Sequence, residues 1–289
     1  MRKRVCLVLT ILLLIIQAAT AENAVLDLRG HQHVTVQFAA DACVLTVVYP
    51  QMTFADACIL MCDGHAAMID AGGYAQEEAV VSAIEQLGIT SFDWVVCSHP
   101  HHDHEPGFEA IIKKYQVGQY ITSFPENEND WTKKMAKVLE AAGVPAAMAS
   151  DGDVLTLGRA EIRLILPENT GKTVNNRSLL TMVSLGERRM LMLADIETMG
   201  QDALLSSGID LHADILKYPH HGHAAMNKSL LNVIAPNLCI ITAKPTRAPY
   251  ALQQLEENRI KAVCTDSDGI VFRTDGQVWL MQDLSAVEF

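Results

Sequence analysis

At 289 residues and 49% hydrophobic, the chain can bury one large core or two small ones, and its composition excludes a disordered polymer. A formal net charge of −12 opposes non-specific attraction to polyanions such as long nucleic acid.

The chain opens with Arg2, Lys3 and Arg4 ahead of the apolar run Val5 to Ile16, and Ala19-Thr20-Ala21 supplies the small residues of a cleavage site. An export signal over residues 1–21 is expected. The run is shorter than the roughly 20 residues a membrane span needs, so cleavage is favoured over an anchor. Loss of those three cations takes the formal charge from −12 to −15. Strand-like runs follow: "HVTVQF", "CVLTVVY", "CILMCDG" and "AAMIDAGG" suggest an antiparallel meander with a turn at Asp63-Gly64. "EEAVVSAIEQLG" has helical periodicity with Gly88 as its stop, and "FDWVVCS" returns as a strand. "FEAIIKKY" is helical, "GQYITSF" extended, and "DWTKKMAKVLEAAG" an amphipathic helix ended by Gly143. A second series of strands then turns at Gly158 and Gly186: "DVLTLG", "AEIRLILP", "SLLTMVSLG", "RRMLMLAD". Helix, strand, helix and strand lead to a closing "TDSDGIVFRTDGQVWLMQ" hairpin. Meander then helices thus occurs twice, which predicts one α/β domain over residues 22–289 made of two similar halves packed sheet to sheet.

Six of the seven cysteines lie beyond the signal, where export would permit disulfides. Their settings are those of small buried hydrophobes. Cys58 and Cys62 share a strand face roughly 13 Å apart, too far to bridge each other. A disulfide involving Cys43 or Cys264 stays open. Lys113, Lys114, Lys133, Lys134 and Lys137 read as solvated helix faces, with no aromatic-rich basic stripe beside them.

Histidine placement carries the chemistry. Seven of eleven fall in two clusters: His99, His101, His102 and His104, then His220, His221 and His223. The first follows an apolar strand as H-x-H-x-D-H and precedes a helix start at Gly107. Imidazole nitrogens and the Asp103 carboxylate, with no thiolate, suit two close catalytic metal ions, zinc above all and manganese as the alternative. His102, at the variable position, is not expected to be a ligand. His31, His33, His65 and His212 read as structural or surface residues.

The H-x-H-x-D-H motif resembles that of the metallo-β-lactamase superfamily. "FADACILMCDGHAAMIDAGG", "VNNRSLLTMVSLGERRMLMLADIE" and "ADILKYPHHGH" are similar to segments of the metal-hydrolase domain at the C-terminal end of the competence protein ComEC. The resemblance covers about Val34 to Leu280 and implies a four-layer αββα sandwich. It implies a first metal at His99, His101 and Asp195 and a second at Asp103, His104, Asp195 and His221, with His220 as the alternative to His221. Asp70 supports the metal loop from behind. Where relatives carry a further histidine, none lies between His104 and Asp195, and Asn175 or Asn176 takes that place, with Asn176 preferred. Ala194 stands for the glycine of "TGD", His223 for the serine of "HHGS", and "TRAPYA" lacks the branch's later histidine. The implied activity is hydrolysis by a metal-activated hydroxide. Asp103 orients the water, and His223 or Lys217 assists the developing charge. The branch favours phosphodiester substrates: a nucleotide, a nucleic acid (disfavoured by the charge) or a phosphorylcholine-type ester at the cell surface. A β-lactam or lactone hydrolase, and a non-catalytic metal-binding module, are the rival readings.

Overall fold

A computed structural model describes Phe38 and residues 42–287. The expected signal, His31, His33 and most of "HVTVQF" lie outside the described residues. The remaining strands build two large sheets. In spatial order the first runs Trp279–Asp283, Ile270–Thr274, Leu45–Tyr49, Ala57–Cys62, His65–Ala71, Trp94–Cys97, Tyr120–Thr122, Ala146–Met148. The second runs Lys261–Cys264, Leu238–Ile241, Ile215–Lys217, Arg188–Met192, Leu180–Leu185, Ala160–Ile165, Val154–Leu157.

Each sheet changes character midway. The meander strands pair antiparallel, from Trp279–Asp283 through His65–Ala71 in one sheet and from Val154–Leu157 through Arg188–Met192 in the other. Beyond them, pairing is parallel and the connections run through helices. This is the doubled pattern read from the sequence, with one addition: the C-terminal hairpin returns to pair with Leu45–Tyr49 and completes the first sheet.

Three apolar layers hold the four structural layers together. Leu60, Val96, Ile162, Val183 and Phe272 pack between the sheets. Val80, Ile84, Phe108 and Leu139 lie under the helices of the first sheet, and Leu204, Leu230, Ile234 and Leu255 under those of the second. Full burial of each such side chain contributes about 1.5–3 kcal/mol. The helix Asp130–Ala142 shows the local rules: Asn129 Oδ1 accepts from Trp131 N at 2.9 Å and Thr132 N at 3.0 Å, and Gly143 ends it at φ +68°. Asn129 Nδ2 also donates to Pro100 O at 2.9 Å, which ties this helix to the histidine loop. Among the described residues, no helix is long and apolar enough to cross a membrane.

Candidate metal centre

Strands end together at one edge of the sandwich, and their last residues and the loops after them build the site. His99 follows Trp94–Cys97, Asp195 follows Arg188–Met192, His221 follows Ile215–Lys217 and Thr242 follows Leu238–Ile241. Backbone bonds stitch the histidine loop down: His104 O accepts from Ala71 N at 2.9 Å, Gly72 O from Gly107 N at 2.9 Å, and Asp103 O from Asp56 N at 3.1 Å. Gly107 is required there because a Cβ would lie 1.9 Å from Ala71 O.

Hydrogen-bond logic fixes three imidazoles. Asp70 Oδ2 takes a bond from Ser98 Oγ at 2.7 Å and faces His104 Nδ1 at 2.8 Å; an ionised carboxylate only accepts, so His104 carries its proton on Nδ1. The Ser98 hydroxyl has then spent its proton on Asp70 and accepts from His99 Nδ1 at 3.0 Å. Thr242 Oγ1 donates to Asp56 Oδ1, so it accepts from His221 Nδ1 at 3.0 Å. All three rings therefore aim Nε2 inward. Nε2 of His99, His104 and His221, with Asp195 Oδ1, are buried and have no hydrogen-bond partner. Leaving such atoms unpaired costs about 1–3 kcal/mol each, and a divalent cation is what this donor set fits.

Asp195 is central to them. Its carboxylate lies 3.3 Å from His104 Nε2, 3.4 Å from His221 Nε2, 3.8 Å from His99 Nε2 and 3.7 Å from His220 Nε2. Asp103 Oδ2 is 3.4 Å from His221 Nε2. The His101 ring lies 4.6 Å from that of His99. Asp195 Oδ1 faces His104, while Oδ2 faces His99, His220 and His221, and Asp103 lies against His221. His220 and His221 both approach Asp195 Oδ2, His221 buried and His220 partly exposed. Both hold left-handed backbone, φ +51° and +53°, as do Ala194 at +43° and Asp70 at +54°. Such conformations cost a non-glycine residue of order 1–3 kcal/mol and cluster at functional sites. They explain why a glycine is the pattern where Ala194 stands.

Two expectations need correction. Asn176 does not face the site: its Oδ1 accepts from Glu197 N and Gly200 N, both at 2.9 Å, and its Nδ2 donates to Thr173 Oγ1. It caps the helix Thr198–Ser206 from outside. Asn175 is the amide left open, with a buried, unpartnered Oδ1 while its Nδ2 donates to Glu197. Lys217 is not placed to assist a substrate, since it is buried, ion-paired to Asp56 and bonded to Ala194 O at 3.0 Å. His102 is exposed, as is His223, whose ring lies 5.5 Å from that of His220. His65 pairs with Asp93 on the surface and His212 is exposed.

Asp56, unnoticed in the sequence, lies with His104, Asp195 and His221 within metal-holding range. Its oxygens are already engaged by Thr242, His221 Nδ1 at 3.1 Å and Lys217, so it anchors the site from beneath rather than joining the inward-facing Nε2 atoms. The signal for it was a lone carboxylate before the apolar run "ACILMC", matched by a lone lysine in "ADILKYP"; buried charges require partners.

The carboxylates of Asp56 and Asp195 lie against the ammonium of Lys217, and Asp70 is close enough to act on it. Burial alone would raise Asp195, but His221 and His104 hold it well below the usual range; Asp103 is drawn to about 2 against burial by His221 and His104. Burial would depress His104, yet Asp195 and Asp70 hold it up at about 10. Burial and the neighbouring His104 keep His99 well below an ordinary imidazole. This excess of anionic oxygen around inward-facing nitrogens is a cation site.

Two mixed sheets between helical layers, with a histidine–aspartate centre at the strand ends, define an αββα metal-hydrolase architecture. The chain belongs to the metallo-beta-lactamase superfamily, which it matches over residues 57–238. It is similar to ComE operon protein 3 of Bacillus subtilis (strain 168), 26% identical over 210 residues, covering 68% of this chain and 26% of that protein. Competence protein ComA of Neisseria gonorrhoeae is 24% identical over 191 residues, covering 65% of this chain and 25% of that protein. The chain spans about a quarter of the length of these curated relatives. Among solved structures, the metallo-beta-lactamase fold protein YhfI from Bacillus subtilis superposes with a TM-score of 0.55 at 14% identity, covering 80% of this chain and 99% of that one. That likeness shows the fold.

Proposed function

We propose that this protein is an exported, metal-dependent hydrolase of small phosphodiesters, binding two divalent ions, zinc in the first instance. The observation that carries it is the set of three buried imidazoles whose Nδ1 atoms are all engaged, leaving Nε2 free around Asp195. Asp103, His104, His221 and Asp195 would hold one ion; His99, His101 and Asp195, supplemented by His220 and Asn175, the other. A divalent ion bound there supplies Lewis acidity and a nucleophile from water near neutral pH.

The chain's own residues do the rest. Asp195 is shared between the two groups of ligands. Asp103 orients the attacking water through its carboxylate, and the Ser98–Asp70 and Thr242–Asp56 bonds keep the imidazoles from rotating. The accessible side carries His101, His220 and His223. His223, exposed with its ring 5.5 Å from that of His220, would give a proton to the leaving oxygen.

Small substrates are favoured over long nucleic acid. Four of the five clustered lysines are ion-paired to carboxylates: Lys113 and Lys134 to Glu109, Lys114 to Glu85, Lys133 to Asp130. The test is a purified chain lacking residues 1–21, loaded with zinc or manganese and assayed on bis-p-nitrophenyl phosphate, a phosphorylcholine ester, DNA and nitrocefin. Turnover of small phosphodiesters, lost in Asp103→Ala with the fold kept, is expected. Hydrolysis of nitrocefin alone, or of nothing by a fully metallated chain, contradicts the proposal.

A further inference from the structure

We propose that Cys43 and Cys62 are a disulfide-forming pair that pins the segment leading into strand Leu45–Tyr49 to the strand Ala57–Cys62. Their Sγ atoms lie 3.3 Å apart, and both side chains are buried in the layer between the sheets. No other pair of cysteine sulphurs among the described residues is recorded in contact. The sulphurs lie within about 1.3 Å of the roughly 2 Å separation of a disulfide bond. The metal centre plays no part in this pairing.

The surroundings favour a disulfide over the other use of such a group. Cys43, Cys62 and Asp63 cluster closely enough to hold a metal ion. Asp63, however, is already taken by Arg159, whose backbone N, Nε and Nη2 all lie 3.0 Å from its oxygens. A thiolate pair would add two negative charges to a buried layer beside that carboxylate. Burial, with Cys62 and Asp63 close by, pushes the Cys43 thiol up to about 12. A disulfide is neutral and apolar, and suits the same space without charge. Oxidation accordingly belongs to folding, before the layer closes. Arg159 reaches Asp63 from the turn between Val154–Leu157 and Ala160–Ile165, so the cross-link braces the place where the two halves meet.

The chemistry balances through thiol–disulfide exchange with a small disulfide such as oxidised glutathione. Two S–H bonds break and one protein S–S bond forms, while two electrons and two protons pass to the oxidant, which leaves as two thiols. The loop closed is short, so the stabilisation follows the usual loop-closure dependence.

The experiment refolds the mature chain with a glutathione redox pair, alkylates it under denaturing, non-reducing conditions, and digests it before aspartates. That cleavage separates residues 41–55, with Cys43, from residues 56–62, with Cys58 and Cys62. The expected result is these two peptides joined, still joined in Cys58→Ser and separate in Cys62→Ser. Reductant lowers the Tm of the oxidised wild type by roughly 5–10 °C and leaves Cys43→Ser unchanged. Metal content at the histidine centre is the same in both. Full alkylation of both cysteines after oxidative refolding, a link through Cys58, or thiols that a chelator alone exposes would each overturn the proposal. The wild-type map stands whether or not the variants fold.

Discussion

The floor and the rim of the metal centre are built on different terms. On the floor, His99, His104 and His221 are fully buried, and each is held through Nδ1 by a hydroxyl or carboxylate that is itself held: Ser98 and Asp70, Thr242 and Asp56, with Lys217 beneath. At the rim, His101, His220 and His223 reach solvent and lack such props; His220 has only Glu197, at 3.7 Å from Nδ1. A preorganised floor serves binding, and a less constrained rim serves whatever must enter and leave.

If the floor is the essential part, its removal has the largest effect. Asp195→Asn takes a charge and a shared ligand from both groups. Metal affinity should fall by more than the ~10–100-fold that removing an outer partner costs. Metal content per chain after dialysis measures this, and retention of two ions would place the centre elsewhere.

Next comes the support beneath. Asp56→Asn strands the buried Lys217 charge and loosens Thr242 and His221, so it should cost about 3–5 kcal/mol of stability and weaken metal binding by ~10–100-fold. The double variant Asp56→Asn, Lys217→Met removes both charges and should recover most of the stability without the metal affinity. Denaturant unfolding beside metal titration separates the two. Equal recovery of both quantities would make Asp56 a purely structural anion.

A proton balance sharpens the comparison further. In the metal-free protein His104 titrates at about 10, above the ~6.5 of an unfolded imidazole. Its raised value stabilises the metal-free fold fully below ~6.5, and that contribution is lost as pH rises through 10. Metal needs the neutral ring, so binding between these limits should release protons and tighten by up to about tenfold per pH unit. Calorimetry of zinc binding in buffers of different ionisation enthalpy counts the protons. An affinity independent of pH from 7 to 9 would contradict the charged, metal-free floor.

The smallest effects lie at the rim. Asn176→Ala should lose about 1 kcal/mol through the uncapped helix and leave metal stoichiometry unchanged, whereas Asn175→His should tighten the weaker ion several-fold. Tightening by Asn176→His instead would place position 176 at the metal despite the bonds of Asn176 to Glu197 N and Gly200 N.

What was legible in the sequence follows the same division. The strand-and-helix alternation declared both halves of the sandwich because period-2 runs and glycine turns are local signals. His99, His101, Asp103 and His104 stood out by their short H-x-H-x-D-H spacing, whereas Asp195 and His221 were reached only through the resemblance. Asp56, Thr242 and Lys217 were not singled out as supports: they come from three separate segments, and only the meeting of two sheets makes them neighbours. The different settings of Asn175 and Asn176 were not legible either. Alternation along an extended segment predicts opposite faces, but these residues lie in a single 3-10 turn, Asn175–Arg177, whose direction is set by the helix it caps.

The central claim is that three imidazoles, locked through Nδ1, present Nε2 to metal around Asp195. Crystals of the zinc-loaded protein, measured at the zinc absorption edge, test it most directly. The account predicts anomalous peaks at bonding distance from Asp195 and from Nε2 of His104, His221 and His99. Zinc bound through Nδ1 of these rings, or peaks only at surface histidines, would contradict it.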